Sequence, residues 1–235
     1  MTGNLILLGL AVFVTIMGLV GYKVGLSKMI MSVTFGLIVI ILVNLLLPLT
    51  VSRVNKSSIQ KKVYERVDTI VLTAIDANNE DVLKTSDTGK KKIVASLPLP
   101  KSIKDDINKN CNDLGFQKYE VKSFKDYLVK YITDLVIKAI TYCLLFLGIS
   151  ILLAMLGHIV GLAKGFTVVY MFDSFLGAAV GIFGAVLMIW ILSILLTAVG
   201  THGLGLDLMK AVSSNKILSW IFDNNPLMQL INIVA

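Results

Sequence analysis

The chain of 235 residues is 56% hydrophobic and only 16% charged, and its net charge is +7. Its mean hydropathy of +0.82 is far above that of a soluble globular domain, so we expect an all-α integral membrane protein and not a soluble enzyme. Most of the charges lie in one polar segment, where Lys alternates with Asp and Glu. That pattern indicates a solvated surface and argues against a nucleic-acid site.

Two apolar runs open the chain, Leu5 to Val20 and Met29 to Leu47, and with their flanks each can cross a bilayer. We expect them to form a transmembrane hairpin over residues 1–51, with the second helix ending near Pro48. The segment between the runs is typical of a tight interfacial turn, because Gly permits the reversal while Tyr and Lys anchor at the headgroups. The turn and anchor residues are Gly21, Tyr22, Lys23, Gly25 and Lys28.

Residues 52–122 are polar and are predicted to form a small, partly helical insertion between the second and third transmembrane helices. Apolar residues recur at helical spacing from Ser57 to Ala77, which predicts one amphipathic helix. The sequence Leu97-Pro98-Leu99-Pro100 cannot lie inside a helix, since each Pro lacks a backbone N–H and restricts the residue before it. We expect a second short helix to follow from Lys101.

Residues 123–200 are predicted to form a second transmembrane hairpin. Its third helix begins at Ser123-Phe124-Lys125-Asp126, where the Ser hydroxyl can accept from a backbone N–H and the acid favours the positive helix end. The helical pattern continues toward Val160, about twice the length that a bilayer requires. Its first turns must therefore stand partly outside the hydrocarbon, where Asp134 and Lys138 have the i, i+4 spacing of an ion pair.

The fourth predicted helix, Met171 to Val199, follows a break in which Lys164 is expected to anchor at the interface. Asp173 at the helix start is either a functional acid or an anchor favoured by the helix dipole, and its position at the edge favours anchoring. Glycines recur in and before this helix at spacings that let helix backbones approach closely. Close packing or homo-oligomerisation is therefore expected through Gly157, Gly161, Gly165, Gly177, Gly181 and Gly184.

Residues 201–235 change to an amphipathic pattern, in which Lys210, Lys216 and Asp223 alternate with apolar residues. The apolar face is too broken by charge for a spanning helix. We therefore predict a C-terminal amphipathic helix that lies on the membrane interface in contact with the lipid bilayer.

Motifs for catalysis or for cofactor and metal binding do not occur in the context that each requires. The two cysteines, Cys111 and Cys143, lack the CxxC spacing of redox and zinc sites. The two histidines, His158 and His202, lie beside Gly at the ends of predicted membrane helices, where the ring can meet water. We expect no catalytic residue, no cofactor and no metal site.

Three groups of residues form a wider pattern. The turn from Gly21 to Gly25 reads Gly-aromatic-basic-x-Gly, and the segment from Asp173 to Gly184 reads Asp-x-x-x-Gly-x-x-x-Gly-x-x-Gly, with Phe183 before the last Gly. Together with the tail they resemble the colicin V production (CvpA) family, in which a basic residue often precedes that Gly. The tail residues that resemble the family's Ser…Leu…Asn-Pro-Leu pattern are Ser214, Leu218, Asn225, Pro226 and Leu227.

The polar segment extends this likeness over nearly the whole chain, because Leu97–Pro100 and Ser123–Tyr127 resemble clostridial-type members of that family. The resemblance implies a multi-pass protein of the bacterial cytoplasmic membrane. It implies a role in the production or export of a peptide toxin and in envelope homeostasis, and it implies no established reaction.

Two functions are compatible with these residues. The first is a non-enzymatic membrane scaffold or anchor, in which residues 52–126 bind an envelope or export protein, because so long a segment exceeds a plain loop. The alternative is an oligomeric channel or transporter component. Its pore candidates are the few polar residues of the apolar runs, namely Asn44, Ser150, Asp173 and Ser193.

The orientation follows from the lysines of the short turns, Lys23, Lys28 and Lys164. The positive-inside rule is reliable for short loops, whereas long segments can translocate regardless of their charge. We therefore expect the N-terminus, the polar insertion and the C-terminal tail to be extracytoplasmic. A count over all Lys and Arg gives the opposite orientation, so both remain open at this point.

Overall fold

The structure is a computed structural model that describes residues 2–55, 57–77, 87–160, 173–201 and 203–233. Over those ranges it contains eleven helices and no strand. In chain order they are α1 (Thr2–Val24), α2 (Leu26–Val54), α3 (Ser58–Ala77), α4 (Asp87–Ser96), α5 (Lys101–Asn110), α6 (Asp113–Lys118), α7 (Phe124–Val160), α8 (Asp173–Val199), α9 (Gly203–Ser214), α10 (Lys216–Asp223) and α11 (Pro226–Ile233). Four of them, α1, α2, α7 and α8, are long and apolar enough to cross a membrane.

The connection between α1 and α2 is shorter than the sequence predicts. α1 continues through Gly21, Tyr22 and Lys23 to Val24, and Gly25 alone separates it from α2. Gly25 has a φ of 86°, a left-handed conformation that only glycine adopts without strain. The predicted turn from Gly21 to Lys28 is therefore wrong in extent, because a single glycine suffices to break the helical path.

Pro48 does not end the second helix, which continues to Val54 with the proline inside it. Pro48 has no N–H to donate to the carbonyl of Asn44 four residues earlier. The helix nevertheless continues, since Leu47 and Val51 on either side of the proline are buried against the rest of the protein. Tertiary packing thus outweighs the local break that the sequence predicts.

The long helices do not pack as two successive hairpins. α1 lies mainly along α8, and α2 lies along α7 and α8, whereas α1 and α2 make few contacts with each other. The two helices of the predicted hairpin over residues 1–51 follow each other in the chain, but α1 packs mainly against α8, because the glycine face of α1 fits α8. α7 and α8 do pack against each other.

Helix α7 has two halves with different surroundings. Its start is capped as predicted: Ser123 Oγ accepts from the N–H of Asp126 at 3.1 Å and donates to the Asp126 carboxylate at 2.8 Å. From Tyr127 to Tyr142 most of its side chains are buried, in part against α3. Beyond that point, from Leu144 to Leu156, large apolar side chains are exposed.

The polar segment folds onto the first half of α7. α3 buries Val63, Val67, Val71 and Ile75 on one face, which confirms the predicted amphipathic helix. Lys125 of α7 pairs with Asp68 of α3 at 2.7 Å. The prolines between Leu97 and Pro100 separate α4 from α5, and α5 begins at Lys101 as predicted.

The C-terminal segment is three short helices where the sequence predicted one amphipathic helix. The breaks are at Asn215 and Asn225, whose side chains cap α10 and α11. The inner faces of these helices join the core that α2, α3 and α7 share, while Leu204, Ile217 and Trp220 are exposed.

These helices lie at one end of the long helices, with the N-terminus and the polar segment. Asn215 Nδ2 donates to Asn4 Oδ1 at 3.1 Å, and Asp223 Oδ1 accepts from the N–H of Ser102 in α5 at 2.8 Å. Gly25 and Asp173 lie together at the opposite end.

Candidate functional site

Helices α1 and α8 approach each other closely through glycine. A methyl group added at Gly21 would overlap the carbonyl oxygen of Gly177, and one at Gly177 would overlap the carbonyl oxygen of Gly21. One added at Gly181 would overlap the carbonyl oxygen of Met17. Two of the predicted packing glycines therefore lie at an intramolecular helix contact, where the absence of a side chain allows van der Waals packing between backbones.

The remaining packing glycines lie elsewhere. Gly184 faces α2, where an added methyl would lie 3.3 Å from Val33. Gly157 lies near the end of α7. Gly161, Gly165 and the predicted anchor Lys164 lie outside the described residues.

Asp173 joins the glycine contact to the start of α2. Its Oδ1 accepts a hydrogen bond from the backbone N–H of Leu26 at 2.9 Å, so it caps a helix other than its own. A methyl group at Gly25 would overlap the Asp173 carboxylate, so the glycine makes room for the cap. The predicted anchors Tyr22, Lys23 and Lys28 are exposed around this junction.

The tail motif is centred on Asn225, which is 1% exposed. Its Oδ1 accepts from the N–H of Leu227 at 2.9 Å, and its Nδ2 donates to the carbonyl oxygen of Trp190 in α8 at 2.9 Å. Pro226 takes the first position of α11, where a missing N–H costs nothing. Leu227 and Leu218 are buried, and Ser214 closes α9 by donating to the carbonyl of Ala211 at 3.1 Å.

A polar cleft of about 400 Å³ lies between α5, α6 and the first half of α7. At its base Lys138 pairs with Asp134 at 2.9 Å, as the i, i+4 spacing predicts, and the Lys138 side chain is only 4% exposed. Tyr119 Oη donates to the same carboxylate at 3.4 Å. Across the cleft Tyr131 Oη donates to Asp106 at 2.5 Å.

Aromatic rings support this cleft from behind. Tyr127 packs against Phe116, Tyr119 and Tyr131, with ring centroids 5.4 to 6.0 Å apart. Burial raises the pKa of Tyr119 well above the ordinary value for a phenol, and the nearby charge of Asp134 raises it further. The phenol is therefore a neutral hydrogen-bond donor at every physiological pH.

Sequence reasoning identified the Asp134–Lys138 pair but missed the cleft around it. The signal was present in α7, because Tyr127, Tyr131, Asp134 and Lys138 follow one another at i, i+4, i+7 and i+11 and so share one face. The contribution of Asp106 and Tyr119 from other helices could not be read from that spacing.

The predicted pore candidates are mostly bonded to the protein itself. Asp173 caps α2, Ser193 Oγ donates to the carbonyl of Ile189 at 3.0 Å, and Asn44 Nδ2 donates to the carbonyl of Ile40 at 2.8 Å. Ser150 is half-buried on α7. In contrast, Asn44 Oδ1 and the hydroxyl of Tyr142 are buried close to each other between α2 and α7, in a geometry too poor for a regular hydrogen bond.

Comparison with known proteins gives no relative: the chain matches no protein-family model, no curated protein and no solved structure. Among the described residues, no three or more His, Cys, Asp or Glu side chains gather as metal ligands would. The functional reading therefore depends on this chain's own geometry and on the motifs in its sequence.

Proposed function

We propose that this chain is a multi-pass protein of the bacterial cytoplasmic membrane, of the colicin V production type, that acts as a non-enzymatic scaffold. In this role it contributes to toxin production or export and to envelope homeostasis. The four long helices anchor it in the bilayer, and the polar helices α3 to α6 bind an envelope or export protein.

The proposal depends on one observation, namely that the outward faces of the long helices are apolar. Large apolar side chains are exposed on each of them, including Leu5 (69% exposed), Ile151 (61%) and Phe175 (77%). Apolar surface of this extent is unfavourable in water and is stable against lipid. Retention in the membrane fraction after alkaline carbonate extraction tests this first step, and release into the supernatant would contradict it.

The scaffold role is supported by the way the polar segment is held. α3 packs along the first half of α7, and α5 and α6 contact the same half through Asp106 and Phe116. The described part of the segment is therefore packed on a continuous helix and is not a free loop. Its outer surface carries exposed lysines, among them Lys61, Lys62, Lys91 and Lys92. A rigid polar surface fixed above a membrane anchor is suited to binding a protein partner.

Photo-crosslinking of the intact protein in cells tests the scaffold. A photoreactive amino acid at Lys62 or Lys92 is expected to form adducts with a discrete protein, because both side chains are exposed on the polar unit. The same group at Ile151, on a face assigned to lipid, is the matched control and is expected to give no such adduct. Identical products at all three positions would contradict the scaffold.

A second candidate, an oligomeric channel or transporter component, is favoured by one observation. The hydroxyl of Tyr142 and Oδ1 of Asn44 are buried close to each other inside two of the four apolar helices, and polar groups at such depth often mark a pathway. Ion flux in liposomes that is lost on Tyr142→Phe would support this candidate over the scaffold.

The orientation belongs to the same proposal. We place the N-terminus, the polar segment and the tail outside the cytoplasmic membrane, and Lys23 and Lys28 inside. The contact of Asn4 with Asn215 supports a common side for the two ends of the chain.

A further inference from the structure

We propose that the polar cleft between α5, α6 and α7 is a binding site for a small zwitterion, with the chemistry of a free amino acid. The site is independent of the scaffold proposal, because Lys138 and Asp134 lie at the base of the cleft and not among the exposed lysines of α3 and α4.

The cleft has the size of a ligand site. Its volume of about 400 Å³ lies within the range of roughly 300–1,000 Å³ that is usual for small-molecule pockets. Most of its lining residues lie on α5, α6 and α7, and the other two, Asn112 and Tyr119, cap the ends of α6. Aromatic packing behind Tyr119 and Tyr131 fixes the two phenols that point into it.

Lys138 retains unused donors at the base of the cleft. An ammonium group carries three N–H donors, and among the described residues Lys138 Nζ has one partner, Asp134 Oδ2 at 2.9 Å. Its side chain is only 4% exposed but lines the cleft, so a molecule bound in the cleft reaches the remaining donors. A buried charge with one partner is costly unless further hydrogen bonds reach it, and a ligand carboxylate supplies them.

The acceptors for a ligand ammonium lie in the same cleft. Asp134 receives both of its hydrogen bonds, from Lys138 and Tyr119, on Oδ2, which leaves Oδ1 without a protein donor. Asp106 is already engaged on both oxygens, by Tyr131 and by Asn110 at 3.0 Å, yet its charge still attracts a cation. Asp134 is therefore the acceptor with the most free capacity.

The balance of charge selects a dipolar ligand. The lining contains two lysines, Lys118 and Lys138, and two acids, Asp106 and Asp134. A simple anion at Lys138 is repelled by both carboxylates, and a simple cation at Asp134 is repelled by both ammonium groups. A molecule that carries an ammonium and a carboxylate a few bonds apart meets an opposite charge at each end.

Thermal unfolding and calorimetric titration of the full-length protein in detergent test the proposal. The probes are the free L-amino acids, each at millimolar concentration, with two matched analogues: the methyl ester, which keeps only the positive charge, and the N-acetyl derivative, which keeps only the negative one. At least one free amino acid is expected to raise Tm and to bind at least about tenfold more tightly than either analogue. If no amino acid binds, or if an analogue binds as tightly, the proposal is overturned.

Variants locate the binding in the cleft. Leu114 lines the cleft and is 75% exposed, so Leu114→Trp is expected to obstruct it and to remove binding without disturbing the buried ion pair. Lys138→Met is expected to weaken binding at least about tenfold. Lys125→Met is the matched control, because Lys125 pairs with Asp68 on α3, outside the cleft. Retention of full affinity in Leu114→Trp would overturn the assignment even if Lys138→Met failed to fold.

Discussion

The carboxylate of Asp173, the first residue of α8, accepts a hydrogen bond from the backbone N–H of Leu26, the first residue of α2, at 2.9 Å. Two helices that are far apart in the sequence therefore begin at the same point. The cap also explains the left-handed Gly25, since any side chain there would occupy the position of the carboxylate.

The Asp173 cap predicts a graded response to substitution. Asp173→Ala removes the acceptor and is expected to lower the free energy of unfolding by about 0.5–2 kcal/mol. Asp173→Asn keeps an oxygen acceptor and is expected to lose less, about 0.3–1 kcal/mol for the missing charge at the helix end. Denaturant unfolding in detergent measures both. Equal losses of unfolding free energy in the two variants would show that the charge of Asp173, and not its hydrogen bond to Leu26, stabilises the contact between α2 and α8.

The glycine contact between α1 and α8 predicts that the loss of stability caused by a Gly→Leu substitution depends strongly on its position. Gly177→Leu forces a side chain against the backbone of α1. It is expected to lower the free energy of unfolding by about 1–3 kcal/mol or more. Gly9→Leu is the matched control, because nothing lies within 4 Å of a methyl group added at Gly9. Thermal stability in detergent distinguishes them. If both variants lost stability equally, glycine content and not the α1–α8 contact would be responsible.

The buried hydrogen bonds of Asn225 predict that one substitution in the tail lowers the stability of the protein. Asn225→Ala leaves the backbone N–H of Leu227 and the carbonyl oxygen of Trp190 without their buried hydrogen-bond partner. It is expected to lower the free energy of unfolding by about 1–3 kcal/mol. The neighbouring Asn224 is exposed, so Asn224→Ala is expected to stay within about 0.5 kcal/mol of the parent protein. Limited proteolysis of the tail compares the same two variants, Asn225→Ala and Asn224→Ala. Equal cleavage of the two variants would mean that Asn225 does not hold α11.

Cys111 provides a test of orientation that depends on pH. Burial raises the pKa of its thiol, although the nearby Lys90 lowers it in part. Because the thiolate is the reactive form, its fraction at neutral pH is smaller than for an exposed cysteine. In intact cells, a membrane-impermeant methanethiosulfonate is therefore expected to label Cys111 more slowly at pH 7 than an exposed cysteine, with a rate that rises as the pH is raised.

A cysteine at the exposed position 114, in a background with Cys111→Ser, is the control for that experiment. Its rate at pH 7 is expected to be higher than that of Cys111, since an exposed thiol is not held in the neutral form by burial. Both cysteines belong to the polar segment and must lie on the same side of the membrane. If either is labelled only after permeabilisation, the polar segment is cytoplasmic and the proposed orientation is inverted.

The sequence was most informative where local chemistry decides the structure. Hydropathy located the four long helices, Ser123 marked the start of α7, and the i, i+4 spacing predicted the Asp134–Lys138 pair. Each of these depends on residues within one or two helical turns of one another. Local patterns of this kind can be read without knowledge of the tertiary contacts.

Three features that the sequence did not indicate depend on long-range contacts. Pro48 lies inside α2 because Leu47 and Val51 are buried. The partner of Asp173 is the N–H of Leu26, and no spacing within the sequence indicates that pairing. For the same reason the sequence did not indicate that α1 packs along α8, since glycines of this kind can fit any smooth helix face.

The pairing of α1 with α8 has a consequence for the order of synthesis. When the ribosome has made the first two helices, the glycine face of α1 has no partner, because α8 begins only at Asp173. At about 5–20 residues per second, the 147 residues that separate Leu26 from Asp173 take on the order of ten seconds to make. During that interval α1 is a membrane-length helix whose small-residue face is open. The last long helix to be made therefore completes the packing of the first, and a chain truncated before α8 exposes that face to other helices and to quality-control proteases.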